Sequence, residues 1–457
     1  MAAEATEALA TFAATLRYED IPEAAREHCR KLLLDALACG LAGHLGDETG
    51  QVAALAGALA QSRESSVIGG ERLSLAGATL LNAYLVTAVT MCDVHRPTMT
   101  HVTPEVVPAA LAIAERDGSS GRDLLVALAA GLEVTVRIGI GLDYHAFRAR
   151  GWHGPGVIGP FGAAASVARL RGLDGAATAR AFGLAGSQSA GTFAAWGTPT
   201  VKFHQCRGAL SGLLAALLAE QDFAATRAFL TAKDGGLYAS YSNGGRPELA
   251  TEALGQAWRL QEIALRLWPS ASLLQGLATA LFALLESHRV ATERVRAIRI
   301  GLSPAAFDMH GKLPQYKGKF DALISGHYAA AAILHDRQLT LAQFEPARYE
   351  DPKLRRAAVE LVQIAPQPNL SGVETTVEVE LQDGSMLRER CDHPRGSPEL
   401  PVSWDDIERK FRTYAPSRLP PGRIDAIVDR IVRLEELASA RELMELLRSA
   451  GPAVSAA

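Results

Sequence analysis

The chain of 457 residues has 48% hydrophobic and 21% charged residues and a formal net charge of −4. That balance excludes a disordered or collagen-like polymer and suggests two or three globular cores. It also removes the electrostatic motive for binding nucleic acid or an acidic membrane surface, so neither is expected as a partner.

Met1 to Thr15 is Ala-rich but carries Glu4 and Glu7, without the basic start and apolar core of a signal peptide. No stretch reaches about 18 uninterrupted apolar residues, the length of a membrane helix, so the cytoplasm is the expected location. Cys29, Cys39, Cys92, Cys206 and Cys391 form no CxxC pair and no metal-ligand spacing; they read as buried free thiols in a reducing compartment. Cys92 and Cys206 lie beside polar clusters, where a thiol is either a reactive group or a small apolar filler.

Residues 1–262 read as mostly helical, with strong helix formers broken by Gly. Inside this region lies Asp93-Val94-His95-Arg96-Pro97-Thr98-Met99-Thr100-His101-Val102-Thr103. It packs an acid, two imidazoles, a guanidinium and several hydroxyls between apolar runs. Such a cluster is costly to bury unless its members satisfy one another or a ligand. His101 is a candidate proton carrier, with Asp93 orienting a neighbouring imidazole; a hydrogen-bonded loop tying two helices explains the same residues. Asp123 to Gly139 follows as a helix, with Leu124, Leu125, Leu128, Leu132 and Val136 at helical spacing and Ser119/Ser120 as caps.

Gly151-Trp152-His153-Gly154-Pro155-Gly156 sets an imidazole among glycines ahead of an Ala-rich helix. A helix N-terminus favours a bound carboxylate and lowers a histidine pKa; a turn whose glycines serve geometry alone is the other reading. Ala163 to Leu170, Ala176 to Gly183 and Gly208 to Ala219 continue the helical pattern, rich in small residues that permit close helix approach. Between them, Thr198 to Arg207 carries Lys202, His204 and Arg207, which either hold an anionic substrate or form a solvated basic loop. Ser187-Gln188-Ser189 offers a nucleophile, but small helix-packing residues bracket it.

From 263 to 400 the texture becomes α+β. Leu273 to Ser287 and Ser325 to His335 read as helices. Val295 to Ile300 alternates like a half-buried strand, and Thr375 to Leu381, Asp383-Gly384 and Ser385 to Arg390 read as a β-hairpin. Arg266, beside Trp268-Pro269, is a candidate anion holder or a surface arginine. Tyr328 opens an apolar helix, where a tyrosine is more often core than proton donor. Pro394 to Pro401 reads as a linker, and Trp404 to Ser449 returns to helix. The expected architecture is mainly α: a helical domain made by both chain ends (1–262 and 401–457), with an inserted α+β domain (263–400). No P-loop, GxSxG elbow, HExxH or dinucleotide-binding context appears, and no metal is expected.

Ordered blocks along most of the chain resemble the MmgE/PrpD family, which includes 2-methylcitrate dehydratase, cis-aconitate decarboxylase and iminodisuccinate epimerase. They are Thr100-His101 leading to Val107-Pro108-Ala109-Ala110-Leu111; Gly121-Arg122-Asp123-Leu124-Leu125; Gly151-Trp152-His153 with Phe161-Gly162-Ala163-Ala164; Gly183 to Gln188; Tyr238 to Ser242; and Lys410-Phe411-Arg412. The resemblance implies a helical domain with an inserted α+β lid, a homodimer, and cofactor-free chemistry on small di- or tricarboxylates. His101, His153 and Tyr328 fall on the family's site histidines and lid tyrosine. The departures are specific: the leading acid of the family's Asp-rich run falls on Thr90, leaving Asp93. The family lysine before an apolar-His pair falls on Val201, with Lys202 one position off. The lid lysine falls on Arg266, and a histidine of the decarboxylase falls on Ala271.

The mechanism this implies is acid–base chemistry at the carbon α to a carboxylate. His101 and His153 would move the proton and Tyr328 would donate from the lid, with Asp93 and Lys202 completing the catalytic set. His95, His204, Arg207 and Arg266 would hold carboxylates. Dehydration, decarboxylation and epimerisation all fit, and a non-catalytic carboxylate-binding or scaffold protein on the same fold is the rival.

Overall fold

The computed structural model describes residues 4–313 and 318–449. Helix makes up 60% of the chain and strand 9%, so the protein is mainly α. It divides into two compact units, Met1–Ala264 with Trp404–Ala457, and Leu265–Ser403.

In the first unit the leading helices are α1 (Ala5–Thr15), α2 (Glu23–Gly43), α3 (Thr49–Ala58), α4 (Leu75–Thr87), α5 (Thr103–Asp117), α6 (Gly121–Gly141), α7 (Tyr144–Ala149), α8 (Gly154–Leu170), α9 (Gly175–Gly186) and α10 (Thr200–Glu220). The Ser120 hydroxyl caps α6 by accepting the Asp123 N–H at 3.1 Å, and Leu124, Leu125, Leu128, Leu132 and Val136 are all buried. This helix is long and apolar enough to cross a bilayer, yet 94% of its apolar window is buried in the chain's own packing. The two charges inside it fasten another segment. Arg137 pairs with Glu133 at 2.6 Å and donates to the Glu252 and Ala257 carbonyls, while Glu133 accepts the Arg259 and Leu260 N–H groups. A buried pair with that many hydrogen bonds is satisfied in place. All five cysteines are free and buried.

The α8 helix sets the geometry of the site. Pro155 lies in its first turn, where the missing N–H costs nothing. Pro160 lies further in and cannot donate to the carbonyl four residues back, Gly156. That carbonyl instead accepts the Ala190 N–H at 3.1 Å and an Arg207 N–H at 3.3 Å. The loop after α9 is thereby docked on the first turn of α8.

In the second unit, β1 (Val295–Leu302), β2 (Val362–Pro366), β3 (Thr375–Leu381) and β4 (Met386–Cys391) form one sheet in the order β2-β1-β3-β4. The β3–β4 hairpin pairs Val377 with Glu389 across the Asp383-Gly384 turn, and β3 alternates buried and half-buried positions. Strand β2, which the sequence did not suggest, pairs parallel with β1, Ile298 opposite Val362. Helices Gln275–Ser287, Gly326–Asp336 and Pro352–Glu360 complete the unit.

Candidate active site

Three histidines from separate stretches of the first unit gather at the start of α8. His153 is the residue before its first turn, and its backbone N–H donates to the Gly191 carbonyl at 3.0 Å. Its Nδ1 lies 2.9 Å from Nδ1 of His204, on α10. A side chain at Gly156 would collide with the Ala190 carbonyl and come within 3.1 Å of His204 Cβ, so glycine there is what lets α10 bring its imidazole in. The loop carrying His101 closes on the same end of α8: a Cβ on Gly154 would lie 2.8 Å from Thr100 Oγ1. His101 Nδ1 is 2.7 Å from the Asp93 carbonyl, which can only accept. That bond fixes an Nδ1–H tautomer and puts the basic lone pair on Nε2.

Electrostatics keep the pair neutral. Burial pushes the His153 pKa well below the ordinary histidine value, and the charges of His204, His101 and Arg148 push the same way. Burial and Arg207 lower His204 as well. Two neutral imidazoles joined Nδ1 to Nδ1 have one arrangement of protons available: one ring donates and keeps its lone pair on Nε2, and the other accepts and carries an Nε2–H. A base and an acid thus stand side by side: when the first ring takes a proton on Nε2 and the second gives up its own from Nε2, transfer of the proton between the Nδ1 atoms leaves two neutral rings with the roles exchanged.

Several residues the sequence pointed to are placed otherwise. The Asp93 carboxylate is buried and accepts the Val102 N–H at 2.8 Å, the Thr103 N–H at 3.0 Å and the Thr103 hydroxyl. It caps α5, and its orienting of an imidazole runs through the backbone carbonyl instead. Burial raises its pKa to about 6 against the opposing pull of those hydrogen bonds. His95 is fully buried with both ring nitrogens engaged, by Thr98 Oγ1 at 2.8 Å and Glu262 at 3.3 Å, so it ties the loop rather than offering itself to a carboxylate. The Thr198–Arg207 stretch is helix from Thr200 onward, and one helical residue is about 100° of rotation. Lys202 therefore leaves the His204 face; its amine donates to the Ala88 carbonyl at 2.6 Å, a cation at the C-terminus of α4. Val201, three residues before His204, occupies the His204 side of α10. Arg207 spends its donors on Gln188, Gly156 and Ala190 carbonyls and the Ser211 hydroxyl, stapling the post-α9 loop in place.

In the second unit Tyr328 is fully buried and its hydroxyl donates to the Gln343 carbonyl, beside Phe344. The hydroxyl is thus engaged within the core of that unit. Arg266 is buried and donates to the Ser270 carbonyl at 3.1 Å. Among the described residues no group of three or more His, Cys, Asp and Glu could hold a metal ion.

Sequence reasoning missed two residues. Arg148, on α7, stands 3.5 Å over the Phe193 ring, whose centroid is 5.9 Å from that of His153. Glu105, on α5, is fully buried, and among the described residues neither of its carboxyl oxygens has a hydrogen-bond partner. Its side chain fills space left by glycine on both neighbouring helices: a Cβ at Gly159 would collide with it and one at Gly208 would lie 3.3 Å away. Burial, then Asp93, raises its pKa well above the carboxylate range. A lone acid in an apolar run was the available signal. Because the folded state holds this proton more tightly than the unfolded chain, its contribution to stability is full below about pH 4.3 and is lost as pH rises. Glu105→Met is expected to stabilise the protein by about 1–3 kcal/mol at pH 7, with a smaller gain at pH 4. Calorimetry that finds the variant less stable at pH 7 contradicts this placement.

Comparison with known proteins places nearly the whole length of the chain in one family. Residues 7–250 match the MmgE/PrpD N-terminal domain and residues 268–434 the MmgE/PrpD C-terminal domain. A cis-aconitate decarboxylase-like protein, oryM, of Aspergillus oryzae is 29% identical over 473 residues, covering 97% of each chain. Cis-aconitate decarboxylases of Aspergillus terreus and Homo sapiens are each 26% identical, covering 95% and 98% of this chain and 94% and 95% of theirs.

Proposed function

The chain belongs to the MmgE/PrpD family, and from that premise we propose that it is a lyase working by acid–base catalysis at the carbon α to a carboxylate of a small di- or tricarboxylic acid, with no coenzyme. It is an enzyme of MmgE/PrpD type; the proposal concerns its chemistry. The observation that carries it is the His153–His204 contact at 2.9 Å, with His101 supported nearby.

The neutral pair offers a lone pair to remove a proton and an N–H to return one, and a positioned group of this kind contributes about 10²–10⁴-fold. If the substrate loses CO2, the carbon–carboxylate bond breaks, its electron pair stays on the substrate carbon, and an imidazole N–H supplies the proton that closes that carbon. If it loses water, one imidazole takes the α-proton and another protonates the leaving hydroxyl. The names of the relatives support a tricarboxylate and loss of CO2 as the first assay. The amine missing at Val201 supports a substrate that differs from theirs in where its carboxylates sit. Arg266 remains the proposed carboxylate holder of the α+β unit, and a homodimer is part of the proposal.

The test is a panel of di- and tricarboxylates, cis-aconitate included, followed by mass spectrometry. At least one acid is expected to lose CO2 or water. Binding of these acids with no change in any of them would favour the non-catalytic reading.

A further inference from the structure

The site as placed has lost the cations the sequence proposed for it: Lys202 is turned to α4 and Arg207 is spent on carbonyls. We propose that Arg148 is the carboxylate-holding group of this site and fixes which polycarboxylates it accepts. The proposal rests on the functional reading above.

Arg148 is presented by a short helix that is well anchored. The Asp143 side chain accepts the Ala146 N–H at 3.1 Å, and Phe147 is buried in the core. The guanidinium carbon sits 3.5 Å from the centre of the Phe193 ring, a stacking distance. A guanidinium laid flat on a ring at that distance keeps its in-plane N–H fork available, the edge that binds a carboxylate through two parallel hydrogen bonds. His153 approaches the edge of the same ring, centroids 5.9 Å apart, and Trp196 stacks on it at 5.2 Å. Phe193 therefore fixes the distance between the cation and the imidazole. Among the described residues no acid forms an ion pair with Arg148. Its charge reaches His153, where it opposes protonation. A substrate carboxylate on the Arg148 fork would neutralise that charge and bring a neighbouring carbon within reach of the histidines.

The assignment predicts a preference. An acid with a second carboxylate spaced to meet Arg148 while the first reacts should be favoured over one with a single carboxylate.

The probe is tricarballylate, a saturated tricarboxylate, titrated calorimetrically into the whole protein. Arg148→Met is expected to weaken its binding by about 10- to 100-fold, and Arg148→Lys to recover part of that, since it restores a charge but not the fork. Phe193→Leu, which removes the platform and keeps the cation, should weaken binding by a smaller factor. With the substrate found by the panel, Arg148→Met should raise KM by a larger factor than it lowers kcat. It should also move the acidic limb of kcat/KM upward, a shift that a purely structural role would not produce. Equal affinity of wild type and Arg148→Met for tricarballylate overturns the role of Arg148 alone. Failure of the wild type to bind any polycarboxylate overturns the functional reading beneath it.

Discussion

His153→Gln is expected to lower kcat by about 10²–10⁴-fold while leaving the fold intact. The fold should survive because what the loop takes from this residue is its backbone N–H, bonded to the Gly191 carbonyl at 3.0 Å, and glutamine keeps that group. What is lost is the Nε2 site and the Nδ1 contact to His204 at 2.9 Å. The pH dependence is equally specific. A base whose pKa is lowered stays neutral as pH falls, so the acidic limb of kcat/KM in the wild type should lie below pH 6.5, the ordinary histidine value from which burial and then His204, His101 and Arg148 depress it. His204→Gln removes one of those charges and should move the limb upward. A wild-type limb at or above pH 6.5, or a His153→Gln enzyme with full turnover, would take His153 out of the mechanism.

Lys410→Met should have the largest effect on stability, about 3–5 kcal/mol of destabilisation, because it strands a buried carboxylate. The Lys410 amine, in the helix Trp404–Tyr414, lies 2.6 Å from Asp35 of α2 and donates to the Met91 carbonyl at 2.8 Å, all of it buried. Burial works against the ammonium, but the charge and hydrogen bond of Asp35 outweigh it and hold the Lys410 pKa above its usual value. Met91 is two residues from Asp93, whose carbonyl orients His101, so this amine ties the helix Trp404–Tyr414 to the segment leading into the His101 loop. Adding Asp35→Leu should recover most of the loss, since two apolar groups leave no orphan. Chemical denaturation of the single and double variants decides this, and a double variant no more stable than Lys410→Met contradicts it.

The legible parts of the fold were those with clean periodicity. Leu124, Leu125, Leu128, Leu132 and Val136 marked α6, and Asp383-Gly384 between alternating runs marked the β3–β4 hairpin. Strand β2 was hidden because Val362–Pro366 is short and ends in proline, with a partner more than sixty residues away. The Thr198–Arg207 stretch looked like a basic loop because Thr-Pro-Thr and its charges mask the first turn of α10, and there a helix and a loop aim Lys202 quite differently. The histidines were legible as residue types, but the His153–His204 contact was not, since it depends on Gly156 and on the carbonyl freed by Pro160. Asp93, Arg207 and Tyr328 share one lesson: a polar residue in the sequence does not announce that a backbone group has already claimed it, and the His95 ring is likewise claimed by the Thr98 hydroxyl and Glu262. Arg148 was overlooked because its significance lies in Phe193, a distant residue in the chain.

The central claim is that imidazoles alone move a proton at the carbon beside a carboxylate. Proton NMR in D2O, with the acid identified by the panel, tests it most directly. The account predicts that the wild type places solvent deuterium at that carbon, in product or in returned substrate, and that His153→Gln does so at least about a hundredfold more slowly. Deuterium incorporation at an undiminished rate in His153→Gln, or loss of CO2 catalysed by the wild type with no deuterium at the carbon that lost it, would contradict it.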